Sequence, residues 1–239
     1  MVLSSRQTQI LKTIIDEFIA TTAAVGSASL DKKYNLGVSP ATIRAEMAAL
    51  TDMKYLKQAH TSAGRIPTPL AMKFYINQLM EEKQLGVTEE VKAKEEVWDV
   101  RGDFDKLISE ATQALANKTH SLVIAETEDG EQFRAGMKNI FDNPEFEDLA
   151  ICQSIFSMIE EESRIHKLLF ETLTGESGVE VLFGSELLWP TLEDLGMVAT
   201  RFEAKGRQGA IAVIGPVRTT PSMIPSVRYF RNLIEELMQ

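Results

Sequence analysis

The chain has 239 residues, 44% hydrophobic and 25% charged, a globular composition that excludes a disordered chain and allows one large domain or two ordinary ones. A single cysteine, Cys152, excludes an intramolecular disulfide and a cysteine-rich zinc site. The net charge of −10 taken alone argues against nucleic acid, yet residues 1–80 hold nine Lys/Arg against five Asp/Glu, a net of +4, while the other 16 basic and 30 acidic residues leave −14. A basic head on an acidic body fits a head that approaches phosphate while the body repels it, although charge alone does not separate this from a chance division of solvated charge. Residues 1–10 lack the basic segment and apolar run of a signal peptide, and no stretch reaches the length of a membrane span. A soluble cytoplasmic protein with no membrane partner is expected. Pattern and charge both change near residue 84, which predicts two domains.

Over residues 5–21, Ile10, Leu11, Ile14, Ile15, Phe18 and Ile19 recur at helical spacing and predict an amphipathic helix capped by Ser5. After the bend at Val25-Gly26, Ser27 caps a short helix to about Tyr34, ended by Asn35-Leu36-Gly37. Ser39 caps again and Pro40 takes the first helical position, where its missing N–H costs nothing, so a third helix spans residues 40–52. Residues 55–58 read as a strand, 60–65 as a loop of small and turn-forming residues, and Ile66-Pro67 as an edge strand. Helix, helix, helix, strand, loop, strand is the order of a winged helix-turn-helix. A further helix over 70–82 would complete this head, residues 1–84.

Residues 85–102 are charge-rich, with Trp98 the main large apolar side chain, and read as a linker or an exposed helix. In the body, residues 103–239, the pattern predicts a helix over 103–118, a strand over 121–125 and one long helix over 147–173. Strands over 179–183, 197–202 and 210–214 and a final helix over 225–238 follow. This mixture is an α+β domain. Cys152, in the apolar run after Leu149-Ala150-Ile151, reads as a small core residue.

On the third helix Ile43, Met47 and Leu50 would pack on the first two helices, which turns Ala41, Thr42, Arg44, Ala45 and Ala48 outward. Small side chains suit a helix lying in a major groove about 12 Å wide, because bulky ones would hold the backbone off the bases. Arg44 can then address a guanine edge or a phosphate, and Thr42 a phosphate or a thymine methyl. Ser39 with Pro40 marks a helix N-terminus whose amides can bind phosphate. An alanine-rich outer face also follows from helix propensity alone. In the loop, His60, Thr61, Ser62 and Gly64 surround one arginine, Arg65, the composition of a wing that reaches along the backbone or into a narrow minor groove. His60 reads either as a phosphate donor or as a cap on its own turn, and Lys57 is a further phosphate candidate.

VGSASL at 25–30, SPATIRAEM at 39–47 and HTSAGRIPT at 60–68 resemble the winged helix of the HrcA family of heat-inducible repressors. Tyr75 fits too, and the resemblance resumes at NPEFED, 143–148, at Phe183-Gly184-Ser185-Glu186 and at GAIAVIGPVR, 209–218. It implies a GAF-like domain for the body, a homodimer, an inverted-repeat operator in double-stranded DNA upstream of chaperone genes, and an active form supported by the chaperonin. With the readings above, it makes Ser39, Pro40, Ala41, Thr42, Arg44, Ala45, Lys57, His60, Thr61, Ser62, Gly64 and Arg65 the candidate DNA-binding residues. Ala45 departs from a polar residue, usually asparagine, and so removes one base contact. Members also carry further strands and a dimerisation module where this chain has only the stretch 119–136, so a dimer would form through the remaining domain or the linking helices.

No enzyme, cofactor or metal is expected. His60, His120 and His166 are widely spaced, no phosphate loop or nucleophile elbow occurs, and Glu160-Glu161-Glu162 reads as a solvated helix face. Gly215-Pro216-Val217-Arg218 could line a pocket. The rival function is a regulator whose GAF-like body binds a small molecule that controls DNA affinity, a fold-level analogy. A third reading is a protein-interaction module that keeps the winged helix without binding DNA.

Overall fold

In the computed structural model the residues described are 3–58, 64–81, 83–175, 178–189 and 192–239, and they divide into two units, Met1–Glu81 and Glu82–Gln239. In the first, α1 (Ser5–Thr21) buries Ile10, Leu11, Ile14 and Ile15. Its cap is Ser4 rather than Ser5, because only Ser4 has Gln7 three positions on. Ser4 Oγ accepts from the Gln7 amide, and the Gln7 side chain accepts from the Ser4 amide. The next helix, α2 (Ser27–Lys33), is capped by Gly26 in extended backbone, so Ser27 is already helical and buried. Helix α3 (Pro40–Asp52) starts at Ser39 as its sequence demands and buries Ile43, Met47 and Leu50. Strands β1 (Leu56–Gln58) and β2 (Arg65–Pro67) pair antiparallel, Leu56 opposite Pro67 and Gln58 opposite Arg65. The helix that follows is shorter than expected: α4 (Pro69–Phe74) passes into a π turn, Tyr75–Leu79.

The second unit begins with α5 (Val87–Trp98), where a linker or exposed helix was expected. Glu89 accepts from the Gly86 amide at its start, and Ala93 and Val97 bury a stripe against α6 (Phe104–Thr119). Strands β3 (Leu122–Thr127), β4 (Gln132–Ala135), β5 (Glu180–Phe183), β6 (Leu195–Ala204) and β7 (Arg207–Pro216) form one antiparallel sheet in the order β4-β3-β7-β6-β5. The short β4 shows too little alternation to be read from sequence. Pairing Leu122 with Ile214 and Ile214 with Met197 aligns a row of apolar side chains on one face. That face packs against α7 (Leu149–Glu160) and α8 (Glu162–Lys167) through Ile155, Met158 and Ile165. The opposite row, Val123, Val213 and Val198, is buried on the side covered by α6 and α9 (Thr220–Leu237).

Two expectations fail here for stated reasons. The single helix over 147–173 is broken at Glu161 (φ −85°, ψ 64°) and ends in a π turn, Leu168–Thr172. Apolar periodicity runs through the break because both helices bury the same side. Glu160 and Glu162 are exposed, and Glu161, partly exposed at the break, accepts from Trp189 Nε1 at 3.1 Å and pairs with Arg164 at 2.8 Å. The last helix starts at Thr220 and contains Pro225, whose missing N–H is offset by burial of Met223, Ile224, Val227 and Phe230.

One charged residue lies in the α7/α8 face. Glu126 is 1% exposed, its Oε1 stands 2.8 Å from His166 Nδ1, and its Oε2 has no hydrogen-bond partner among the described residues. Burial pushes its carboxyl above the ordinary 4.5, against the lowering effect of His166. Since the folded form then holds a proton that the unfolded form has released, wild-type stability falls as pH rises from about 4.5 through the raised value. Glu126→Gln should remove that fall, melting higher than wild type at pH about 8 with the gap closing toward pH 4. Parallel thermal melts across this range check it, and equal pH slopes for both proteins would refute it.

Candidate nucleic-acid interface

The outer side of α3 is built by its own burial pattern. With Ile43, Met47 and Leu50 turned inward, Ala41, Arg44, Ala45 and Ala48 are exposed and Thr42 is half-buried. Ser39 and Pro40, both exposed, open the helix. Ser39 Oγ accepts from the Thr42 amide at 3.2 Å and lies 3.0 Å from Thr42 Oγ1, and the Ile43 amide bonds the Ser39 carbonyl at 3.0 Å. Pro40 has no N–H, so the Ala41 amide is the group left to a ligand at this end.

Charge is distributed unevenly over the unit. Arg6 stands 3.7 Å from Glu46, Lys12 2.7 Å from Asp16 and Lys33 2.5 Å from Glu17. Lys33 and the Tyr34 hydroxyl hold the Glu17 carboxyl below its usual range. The first ties α1 to α3 and the third α2 to α1, while Lys12–Asp16 lies within α1. Arg44, by contrast, is exposed and has no ion pair among the described residues. Lys32 and Lys54 are exposed as well, and Lys57 is half-buried on β1.

Arg65 is the first residue of β2, opposite Gln58 in the rung of the hairpin next to the 59–64 segment. Its backbone bonds Val25 in both directions, at 2.9 and 2.8 Å, and its Nε donates to Thr51 Oγ1 at 3.2 Å. Gly64 is required by the same contact: an added Cβ would overlap the Val25 carbonyl and stand 2.8 Å from the Gly26 nitrogen. Neither Val25 nor Thr51 stood out in the sequence as a site residue, although Val25 belongs to the VGSASL motif. His60, Thr61 and Ser62 lie outside the described residues. Tyr75 donates its hydroxyl to Asp16 at 2.8 Å, and burial together with that bond pushes its pKa up to about 12.

Motif residues of the second unit are structural by their contacts. Arg218 pairs with Glu145 through Nε and, at 3.3 Å, through a second nitrogen, so it braces the 143–148 segment. Glu186 accepts from the Phe183 amide at 3.1 Å, and Cys152 donates to the Phe146 carbonyl from a buried position. Among the described residues no group of three or more His, Cys, Asp or Glu side chains is placed to hold a metal, and no helix is long and apolar enough to cross a membrane.

A family model described as the HrcA protein C terminal domain matches residues 69–220. The heat-inducible transcription repressor HrcA of Desulforudis audaxviator is 26% identical over 318 aligned residues, covering 91% of this chain and 92% of its own. That of Carboxydothermus hydrogenoformans is 26% identical over 338, covering 99% and 98%. Both alignments run longer than the 239 residues here, so these relatives hold segments without a counterpart in this chain. The repressor of Acetivibrio thermocellus is 44% identical over 115 residues, 48% of this chain and 31% of its own. A solved structure of a hypothetical protein superposes with a TM-score of 0.76 at 17% identity, covering 99% of this chain and 97% of that one, which shows a shared fold.

Proposed function

This chain belongs to the HrcA family, and from that premise we propose that it is a cytoplasmic transcription repressor whose first unit is a winged helix-turn-helix holding operator DNA. The observation that carries the reading is the outer side of α3, small residues around an Arg44 that has no ion pair among the described residues. Ala41, Ala45 and Ala48 let the helix backbone approach the floor of a major groove about 12 Å wide. Arg44 then reaches a guanine edge or a phosphate, Thr42 and the Ala41 amide address the backbone, and Lys57 and Arg65, with His60, Thr61 and Ser62 as further candidates from the sequence, contact the duplex on the hairpin side. The names of its relatives support a repressor of heat-shock genes.

One head offers about two base contacts at roughly 1 to 3 kcal/mol each, whereas a repressor must beat non-specific DNA by roughly 4 to 10 kcal/mol. Two heads on an inverted repeat close that gap, so the protein acts as a homodimer, with the GAF-like second unit as its regulatory and dimerisation part and the chaperonin as a partner of the active form. The test is selection of bound duplexes from a random pool, followed by salt titration on the selected site. An inverted repeat is expected, with a slope of log affinity against log salt of magnitude about 4 to 5, since each neutralised phosphate adds about 0.9. Absence of an enriched site, or an affinity indifferent to salt, would overturn the proposal.

A further inference from the structure

The contacts of Arg65 point to a role for a residue that touches no DNA. Thr51, in the last turn of α3, donates its hydroxyl proton to the Met47 carbonyl at 2.8 Å and accepts from Arg65 Nε at 3.2 Å. Its single proton is committed to the helix, so its oxygen is free to hold the guanidinium in one direction only. The backbone of Arg65 is held from the other side by Val25, and Gly64 packs on the same carbonyl too closely for any side chain. A long cationic side chain at the loop-side end of the hairpin is thus fixed to the last turn of α3.

We propose that Thr51 is a positioning residue for DNA binding: by holding Arg65 it locks the hairpin in register with α3, so that both elements meet the duplex as one rigid surface. This rests on the reading of the first unit as a DNA-binding head. With Nε spent on Thr51, the two terminal nitrogens of Arg65 remain to meet phosphate, and they do so from a preset position. Preorganisation of this kind raises affinity by sparing the ordering of a flexible arm at the moment of binding.

The experiment uses the full chain, with fluorescence anisotropy on the selected operator duplex and on an unrelated duplex across a salt series. Thr51→Val keeps the shape of the side chain and removes the acceptor; Thr51→Ser keeps the hydroxyl. Arg65→Lys keeps the charge and removes the Nε donor. Thr51→Val and Arg65→Lys should each weaken operator binding about 3- to 10-fold, the loss of one hydrogen bond. Unrelated duplex should weaken by a similar factor, since a phosphate contact forms on any sequence, the salt slope of Thr51→Val should equal that of wild type, and the double variant should bind no more weakly than the worse single one. Thr51→Ser should restore wild-type affinity. Wild-type binding by Thr51→Val, or by Arg65→Lys, would overturn the proposal, since charge alone would then suffice. Failure of wild type itself to bind any duplex would instead remove the DNA-binding reading on which the proposal rests.

Discussion

Gly136→Ala is expected to lower the stability of the second unit by about 2 to 5 kcal/mol, from roughly 1 to 2 for a left-handed backbone and 1 to 3 for overpacking. Gly136 has φ +74°, and an added Cβ would overlap the Ser121 carbonyl oxygen, 2.9 Å from Asn139 Nδ2 and 3.0 Å from Ala116 Cβ. None of these neighbours can yield without loss. Asn139 is buried and donates to Ser121 O at 3.2 Å and Ala116 O at 3.4 Å, and its own carbonyl accepts from Asn143 Nδ2 at 2.9 Å. Moving it would strip bonds from the segment that Glu145 and Arg218 brace. Both tryptophans, Trp98 and Trp189, lie in this unit, so denaturant unfolding followed by their fluorescence reads it directly. Gly206→Ala is the control: its φ is +73° but its Cβ would meet nothing within 4 Å, so it should cost only the backbone part, about 1 to 2 kcal/mol. Equal losses for the two variants would show that packing at Gly136 contributes nothing.

Arg44→Ala should cost about 1 to 3 kcal/mol per head on the selected operator and relax the preference at one base pair of each half-site. The chain itself should keep its stability, because Arg44 is exposed and pairs with no acid among the described residues. On the same side of α3 its neighbours are Ala41, Ala45 and Ala48, which carry no charge. Anisotropy on the operator and on single-base variants of it separates two outcomes. Loss confined to the operator, with one position relaxed, assigns Arg44 to a base edge. Uniform weakening on every duplex, with the salt slope reduced by about 0.9 per head, would reassign it to phosphate.

Legibility followed the range of the interactions involved. Helix α1 was read with its bounds, and α3 with its Ser39 cap, its Pro40 start and its inward Ile43, Met47 and Leu50, because caps and periodicity are written within a few residues of where they act. The same local signals misled where two helices share one buried side, as at Glu161, and fell silent for a strand as short as β4. A loop rich in turn formers placed Arg65 at a wing tip, whereas pairing with Gln58 puts it on a strand and a bridge to Val25, far back in the chain, holds it there.

What the sequence by itself determined was therefore the order of helices and strands in the head, the small-residue side of α3 with Arg44 on it, and the family. What only the tertiary structure decided was who holds Arg65, why Gly64 and Gly136 admit no side chain, and that Glu126 lies buried against His166. Thr51 and Arg65 are 14 residues apart, Glu126 and His166 40 apart. Side-chain spacing along a helix or strand repeats every few residues and so leaves a trace in the chain. A hydrogen bond or a close backbone approach between distant segments depends on how sheets and helices pack, and leaves none.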